Sequence, residues 1–295
     1  KGEAPAWDKI EILPIDDENT AEIAFEAGEL DFTRVSLGSV ERYRGGVPND
    51  GTLIENPSLF YVWLGMNLDH PKLQNQKLRQ AIQHAIDVPT VLEASYFGAA
   101  APSTGIIAPG LVGNRAQGLV PPEANIEKAM ALLAESGETN VTLTLDILNK
   151  TTYTTMAQVI QAMLAQIGIT LEVNVLESGA FWASGDNENL QLILNRFSMA
   201  PDPSYATAWF IEEQAGIWNW ERFRNAEFDQ LHVNAAQETD TAKRDVMYQR
   251  AQDLMEESGA YRFFTHEATP VIHSARVTPA LRPDGLALLR YFGKA

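Results

Sequence analysis

The middle of the sequence alternates between two hydrophobic periodicities, and this alternation narrows the possible folds most. Residues 141–148 (VTLTLDIL) and 169–176 (ITLEVNVL) alternate apolar and polar side chains, as strands do. Between them, residues 155–168 (TMAQVIQAMLAQIG) repeat apolar side chains at helical spacing and end in glycine. A strand, a helix and a second strand at this spacing predict a parallel pair with a right-handed crossover. We therefore expect an α/β fold with a mixed, largely parallel sheet flanked by helices.

Further strands and helices are predicted on both sides of this unit. Residues 7–15 (WDKIEILPI) alternate, and residues 58–68 (SLFYVWLGMNL) are rich in aromatic and β-branched side chains, so both are predicted strands. Residues 190–195 form another, and residues 260–277 are predicted to form a strand pair. The predicted helices are 16–28, 75–86, 87–98, 125–137, 225–238 and 241–258.

Residues 98–123 (GAAAPSTGIIAPGLVGNRAQGLVPPE) show neither the strand nor the helical periodicity of apolar side chains and are rich in Pro and Gly. A loop this long is uncommon inside a compact domain, and such loops are usually functional or cross between units. An internal domain boundary is therefore expected here.

The charge balance limits the partners. The 295 residues include 22 basic and 39 acidic side chains, a net charge of -17. This field repels phosphate, so nucleic acid and anionic membrane surfaces are not expected as partners. The sequence has no Cys, which excludes disulfides and thiolate chemistry. No apolar run reaches the roughly 18 residues that a membrane span needs, and no signal peptide is visible.

The sequence shows no pattern for catalysis or for a metal. Its five His, at positions 70, 84, 232, 266 and 273, do not have metal-ligand spacing. A nucleophile elbow, a P-loop and a dinucleotide-binding glycine motif are also absent. We therefore expect no catalytic residue, no metal and no cofactor.

The strongest candidate for a site is an aromatic, proline-broken segment after residue 195. Trp209, Trp218 and Trp220 lie close together in sequence, in a stretch rich in Asn, Gln and Gly. They either plug the end of the sheet or line a ligand cleft, since ligand pockets are mainly apolar and aromatic. Asp202, between Pro201 and Pro203, is either a turn residue or a ligand contact at the tip of a strand.

Four stretches, in this order, resemble a known family: residues 10–32, 61–110, 157–175 and 224–231. They are similar to motifs of the periplasmic solute-binding proteins of ABC importers for dipeptides, oligopeptides and nickel. The resemblance implies a C-terminal ligand-binding lobe over residues 1–265 and a tail over 266–295 that returns to an absent N-terminal lobe. It further implies a periplasmic protein, with its signal or lipid anchor outside this chain.

The same resemblance implies a binding function without catalysis. A peptide or peptide-like solute would be captured between two lobes and delivered to ABC permease subunits in the membrane. Two alternatives remain open at this stage, namely an α/β enzyme domain of unknown reaction and a sensor or chaperone module on the same fold.

The resemblance also implies a set of ligand-facing positions. Aligned on Asp202-Pro203, Met199 occupies the place of the aspartate that pairs with a peptide's free amine, and Arg196 the place of a tryptophan. Standard capture of a peptide amine is therefore in doubt, because a buried ammonium without a carboxylate is costly. Asp202 could compensate, or the ligand could be a modified peptide, opine, sugar or polyamine. The candidate ligand-binding residues are Arg196, Met199, Asp202, Tyr205, Trp209, Trp182, Trp218 and Trp220.

Overall fold

The computed structural model describes residues 5–15, 17–55, 57–282 and 285–295. Contacts divide the chain into two compact units. One unit contains Lys1–Leu59, Tyr96–Ala100 and Glu267–Ala295; the other contains Phe60–Ser95 and Ala101–His266. The first 59 residues are thus grouped with the tail, whereas the predicted lobe had grouped them with the residues that follow. One point where the chain passes between units lies within the long loop, after Ala100.

Helices and strands alternate along much of the chain. The helices are α1 (Glu18–Glu26), α2 (Val40–Arg44), α3 (Gln76–Ala85), α4 (Val88–Tyr96), α5 (Ile126–Ser136), α6 (Thr151–Gln166), α7 (Ser178–Ser184), α8 (Ser204–Thr207), α9 (Ala226–Gln237) and α10 (Thr241–Glu257). The strands are β1 (Phe32–Arg34), β2 (Thr52–Ile54), β3 (Pro57–Met66), β4 (Thr142–Leu148), β5 (Thr170–Leu176), β6 (Leu192–Ser198), β7 (Tyr261–Ala268), β8 (Val271–His273), β9 (Val277–Thr278) and β10 (Gly293–Lys294).

Side chains of Asn and Asp begin many of the helices. Asn125 accepts a hydrogen bond from the Lys128 amide (2.9 Å), and Asp240 accepts one from the Ala242 amide (2.9 Å). These bonds satisfy amides that have no partner within the helix. Gly137, in the left-handed conformation (φ 73°), ends α5 as predicted.

A five-stranded mixed sheet, in the order β5-β4-β6-β3-β7, forms the centre of the second unit. Strand β4 runs parallel to both β5 and β6, whereas β3 runs antiparallel to β6. Helices α6 and α7 pack against β4 and β5. The predicted mixed α/β architecture is confirmed.

Two buried arginines hold the long loop of the second unit in place. Arg115 pairs with Glu256 (2.6 Å) and with Asp253 (2.7 Å). Arg262 donates to the carbonyl oxygens of Pro121 and Pro122, 2.9 Å each. Because buried side chains satisfy its backbone, the loop has a defined path without regular secondary structure.

The first unit is built on a small antiparallel sheet in the order β1-β8-β2. Its core contains Phe25, Val40 and Ile272, packed under α1 and α2. The carboxylate of Glu22 is buried there and is bonded by the Ser36 amide (2.7 Å) and by Arg42 (2.8 Å).

Two secondary-structure predictions were wrong. Residues 7–15 form no strand: Ile12 is 74% exposed and no neighbouring strand pairs with this segment in the described chain. Alternating apolar and polar side chains are typical of a strand, but a strand forms only where its backbone pairs with a neighbouring strand through hydrogen bonds. The predicted pair over 260–277 is also incorrect, because β7 belongs to the five-stranded sheet and β8 to the three-stranded one.

Within the described ranges, no helix is long and apolar enough to cross a membrane. The same part of the chain contains no group of three or more His, Cys, Asp or Glu side chains placed to hold a metal ion.

Candidate functional site

The predicted site lies at the edge of the five-stranded sheet where the parallel strands end. Because β5, β4 and β6 run in the same direction, their carboxyl ends, at Leu176, Leu148 and Ser198, face one edge. Helix α7, which carries Trp182, follows β5, and the proline-broken segment follows β6. Open α/β sheets bind ligands at this edge.

Four aromatic side chains pack together there, and we call this group the aromatic surface: the buried Phe197, the half-buried Trp209 and the exposed Trp182 and Trp218. The ring centroid of Phe197 lies 6.0 Å from that of Trp209 and 6.1 Å from that of Trp218, and the rings of Trp182 and Phe197 are nearly parallel, 7° apart. Trp182 is 41% exposed and Trp218 is 40% exposed. Two large indole faces are thus available to a ligand.

Strand register explains why Phe197 occupies the centre of this surface. Tyr61 is directly opposite Phe197 in the β3–β6 pair, and Trp63 is opposite Asn195. Directly opposed residues share a face of the sheet, so β3 supplies two aromatic rings beside Phe197 on the same face. The Trp63 and Phe197 ring centroids are 5.0 Å apart, in an edge-to-face arrangement.

Trp220 lies beneath the aromatic surface instead of at it. Its side chain is 1% exposed, packs edge-on against Phe197 and Trp182, and donates from Nε1 to the Ile217 carbonyl (2.8 Å). A Cβ on Gly185 would lie 2.0 Å from the Trp220 ring, so this packing requires glycine at position 185.

A buried asparagine holds the loop that carries Trp218 and Trp220. Asn219 Nδ2 donates to the carbonyls of Phe210 (3.1 Å) and Phe223 (2.7 Å), and Oδ1 accepts from the Phe223 amide (3.0 Å). One side chain therefore satisfies backbone groups at both ends of the loop. This explains how an irregular segment can place large aromatic side chains with precision.

Asp202 is engaged within the protein. It accepts from the Ser204 amide (2.9 Å) at the start of α8, and Arg244 donates to its two oxygens at 3.0 and 3.2 Å. Burial alone would raise the pKa of Asp202, but the bonds from Ser204 and Arg244 outweigh it and lower the pKa. The turn role is thus observed, together with an ion pair to α10.

The other predicted residues have separate positions. Arg196 lies on the face of β6 opposite Phe197, since neighbouring strand residues alternate, with its guanidinium 3.5 Å from the centre of the Phe60 ring. Met199, directly after β6, is buried, whereas Tyr205 on α8 is 59% exposed. The fold thus brings the four tryptophans together through Phe197 and places Arg196 on the other side of the sheet.

Glu221 is a functional candidate that none of the sequence patterns indicated. This side chain is fully buried, and its Oε1 accepts a hydrogen bond from Trp63 Nε1 at 2.7 Å. Among the described residues, no hydrogen bond of normal geometry reaches its Oε2 or the buried hydroxyls of Tyr61 and Tyr261. Burial raises the pKa of Glu221 to about 7. The sequence feature that could have indicated it is an acidic residue, Glu221, within the aromatic run WNWERF (218–223).

A separate cavity of about 590 Å³ lies within the first unit. Its walls include Trp7, Ile12, Leu30, Phe32 and Phe292. None of the predicted site residues lines it.

Comparison with known proteins agrees with this architecture. The sequence model of the bacterial extracellular solute-binding proteins, family 5 Middle, matches residues 1–217. The chain is 24% identical over 285 residues to the glutathione-binding protein GsiB of Escherichia coli (strain K12), with 93% of the chain and 55% of that protein covered. The chain thus spans about half the length of the curated relatives it matches.

Solved structures share the fold. HbpA2 from Haemophilus parasuis matches with a TM-score of 0.82 and 25% identity, covering 95% of this chain and 57% of that one. The dipeptide binding protein from Pseudoalteromonas sp. SM9913, in complex with Met-Leu, matches with a TM-score of 0.80 and 22% identity, covering 95% and 57%. The family model covers well over half of the sequence, so the resemblance found in the motifs is confirmed: this chain belongs to the bacterial extracellular solute-binding proteins of family 5.

Proposed function

We propose that this chain forms the ligand-binding part of an ABC importer's solute-binding protein, which captures a peptide or peptide-like solute between two lobes. The single observation that carries this proposal is the aromatic surface at the carboxyl edge of β4, β5 and β6, in a chain of this family. Exposed Trp182 and Trp218 offer apolar area that a solute would bury. GsiB is named for glutathione and the Pseudoalteromonas protein for dipeptides, which favours small peptides as the solute class.

The remaining site residues enter the proposal with different roles. Trp182, Tyr205 and Trp218 are proposed to contact the solute directly, and Trp209 and Met199 to complete the apolar wall. Trp220 supports that wall from below, since it is buried. Asp202 shapes the turn through its contacts with Ser204 and Arg244. Arg196 packs on the Phe60 ring on the opposite face of β6, and its proposed role is to support the strand.

The division of the chain suggests how the lobes are built. We propose that the site belongs to the lobe formed by residues 60–95 and 101–266. Residues 1–59, 96–100 and 267–295 form the other unit, and we propose that it joins the remaining lobe of a two-lobed protein. In this proposal the tail still returns to the other lobe, as predicted, and residues 1–59 belong to that lobe as well.

The proposal also covers the cellular location and the interaction partners of the complete protein. The complete protein is periplasmic and delivers its solute to ABC permease subunits, and neither nucleic acid nor a cofactor takes part. It performs no catalysis, since binding and closure are sufficient for delivery.

Thermal unfolding of the full-length protein with a panel of solutes tests this function. Glutathione, Met-Leu, a tetrapeptide, a sugar and a polyamine are compared. A true ligand at a hundredfold excess over its Kd stabilises the folded state by about 2.7 kcal/mol.

The same assay on two variants locates the site. Trp218→Ala should reduce the shift, whereas the matched control Met130→Ala, which truncates an exposed apolar side chain on α5, should retain it. No stabilisation by any solute class would contradict the function. Equal shifts in both variants would contradict the site.

A further inference from the structure

The buried carboxylate of Glu221 is connected to the aromatic surface by direct contacts. Its Oε1 accepts from Trp63 Nε1 at 2.7 Å, and the Trp63 ring packs against Phe197 at 5.0 Å. Phe197 in turn contacts Trp182, Trp209 and Trp218. A change at Glu221 therefore reaches the exposed rings through two ring contacts.

The backbone makes room for this carboxylate. A Cβ on Gly65 would lie 1.9 Å from Glu221 Oε1, so only glycine at this position of β3 admits the side chain. The carboxylate thus lies directly against the strand that also carries Tyr61 and Trp63. This close fit restricts how the side chain can adjust when its charge changes.

The groups around Glu221 leave its ionised form poorly compensated. Tyr61 on β3 and Tyr261 on β7 face it with buried hydroxyls, and neither makes a hydrogen bond of normal geometry within the described chain. Arg222 is the neighbouring cation, but it donates to the backbone carbonyls of Trp220 and Asn187. His266, whose ring centroid lies 6.2 Å from that of Tyr61, is uncharged near neutral pH because burial lowers its pKa to about 4.

We propose that Glu221 is a proton-dependent positioning residue for the aromatic surface. The neutral and the ionised form hold Trp63 and Phe197 in different arrangements, because ionisation strengthens the bond from Trp63 Nε1 and puts a charge beside Tyr61 and Tyr261. Solute binds the ionised form more weakly. The statement about binding rests on the proposed function, whereas the statement about the rings does not.

The sign of the effect follows from desolvation. A solute that covers Trp182 and Trp218 removes water from above the cluster, which favours the neutral form of Glu221. Binding therefore takes up a proton, and affinity falls as the pH rises through about 7, the pKa of this carboxyl in the folded chain. Affinity changes up to about tenfold for each pH unit by which binding moves that pKa.

Intrinsic tryptophan fluorescence of the ligand-free, full-length protein between pH 5 and pH 9 tests the structural half. We expect an emission change with a midpoint near 7 in the wild type, absent in Glu221→Gln, because the amide keeps the bond from Trp63 and cannot ionise. The matched control Glu172→Gln, an exposed carboxylate on β5, should behave as the wild type.

Calorimetric titration with Met-Leu and with glutathione, at pH 5.5 and pH 8.5, tests the binding half. Weaker binding at pH 8.5 in the wild type and equal binding at both pH values in Glu221→Gln support the proposal. A wild-type transition that persists in Glu221→Gln overturns it, as does an affinity that changes equally with pH in both proteins. If neither solute binds at any pH, the proposed function fails for these solutes and the fluorescence experiment alone decides the role of Glu221.

Discussion

Glu221 and Trp63 are 158 positions apart in the sequence and share a buried hydrogen bond of 2.7 Å between Oε1 and Nε1. The bond joins the loop after α8 to the centre of β3, inside a cluster of aromatic rings. An indole N–H needs an acceptor when it is buried, and here a carboxylate provides it.

The first prediction concerns the pH dependence of stability. The pKa of Glu221 is raised by burial from 4.5 to about 7. Between these values the unfolded chain has lost the proton while the folded chain keeps it, so stability declines as pH rises and the full loss, about 3 kcal/mol, is present above pH 7.

Glu221→Gln should remove this loss. Its free energy of unfolding, from urea titration, should exceed that of the wild type at pH 8, and the excess should disappear at pH 4. An excess of equal size at both pH values would show that packing, and not ionisation, distinguishes the two proteins.

The second prediction concerns the space beside Glu221. Gly65→Ala should lower the free energy of unfolding by about 2 kcal/mol, because the new methyl group overlaps the carboxylate. In a Glu221→Ala background the same substitution should cost much less. Gly179→Ala, where a Cβ meets nothing within 4 Å and the residue lies in helix α7, is the control and should not lower the free energy of unfolding. Equal costs of Gly65→Ala in both backgrounds would place the strain elsewhere.

The third prediction concerns Asp202 and Arg244. Their side chains are 44% and 19% exposed, so water screens the pair, and a double-mutant cycle to alanine should give a coupling of at most about 1 kcal/mol. Since the pKa of Asp202 is lowered, this coupling is present above its usual value of 3.8 and is lost as pH falls through the folded value. A coupling that increases as the pH falls would contradict the ion pair.

The fourth prediction concerns Met199. Replacing it with Asp puts a carboxylate at a buried position, so Met199→Asp should lower the melting temperature of the ligand-free protein. A solute with a free amine should recover part of the loss. Met-Leu should therefore gain affinity relative to its N-acetylated form, which calorimetry can measure. Met199→Leu is the control, with no expected change in preference, and an unchanged preference in Met199→Asp would show that Met199 does not face the solute.

Sequence periodicity predicted those helices and strands whose buried side chains repeat at regular intervals. Strands β4, β5 and β6 and helix α6 were found because their side chains alternate or repeat at regular intervals. Residues 7–15 show the limit of this reasoning, since the pattern describes a face and cannot supply a pairing partner. The partners of β7 and β8, in different sheets, were likewise beyond a local pattern.

The sequence predicted which aromatic residues belong to the candidate site, but it did not predict how they pack together. The clustering of Trp209, Trp218 and Trp220 indicated either a plug at the end of the sheet or the wall of a ligand cleft, and the structure gathers them around Phe197. The burial of Trp220 depends on Gly185, and the position of the Glu221 side chain depends on Gly65, both distant in sequence. Such fits arise only when separate strands and loops meet.

The hydrogen bonds of Asn219 separate two tasks within one loop. The buried amide of Asn219 holds the path of the backbone, while the indole of Trp218 in the same loop is 40% exposed. The side chain at position 218 can therefore be exchanged while the hydrogen bonds of Asn219 remain. Under the function proposed above, substitutions at this position would change the preferred solute, in evolution or under redesign, while the loop stays folded.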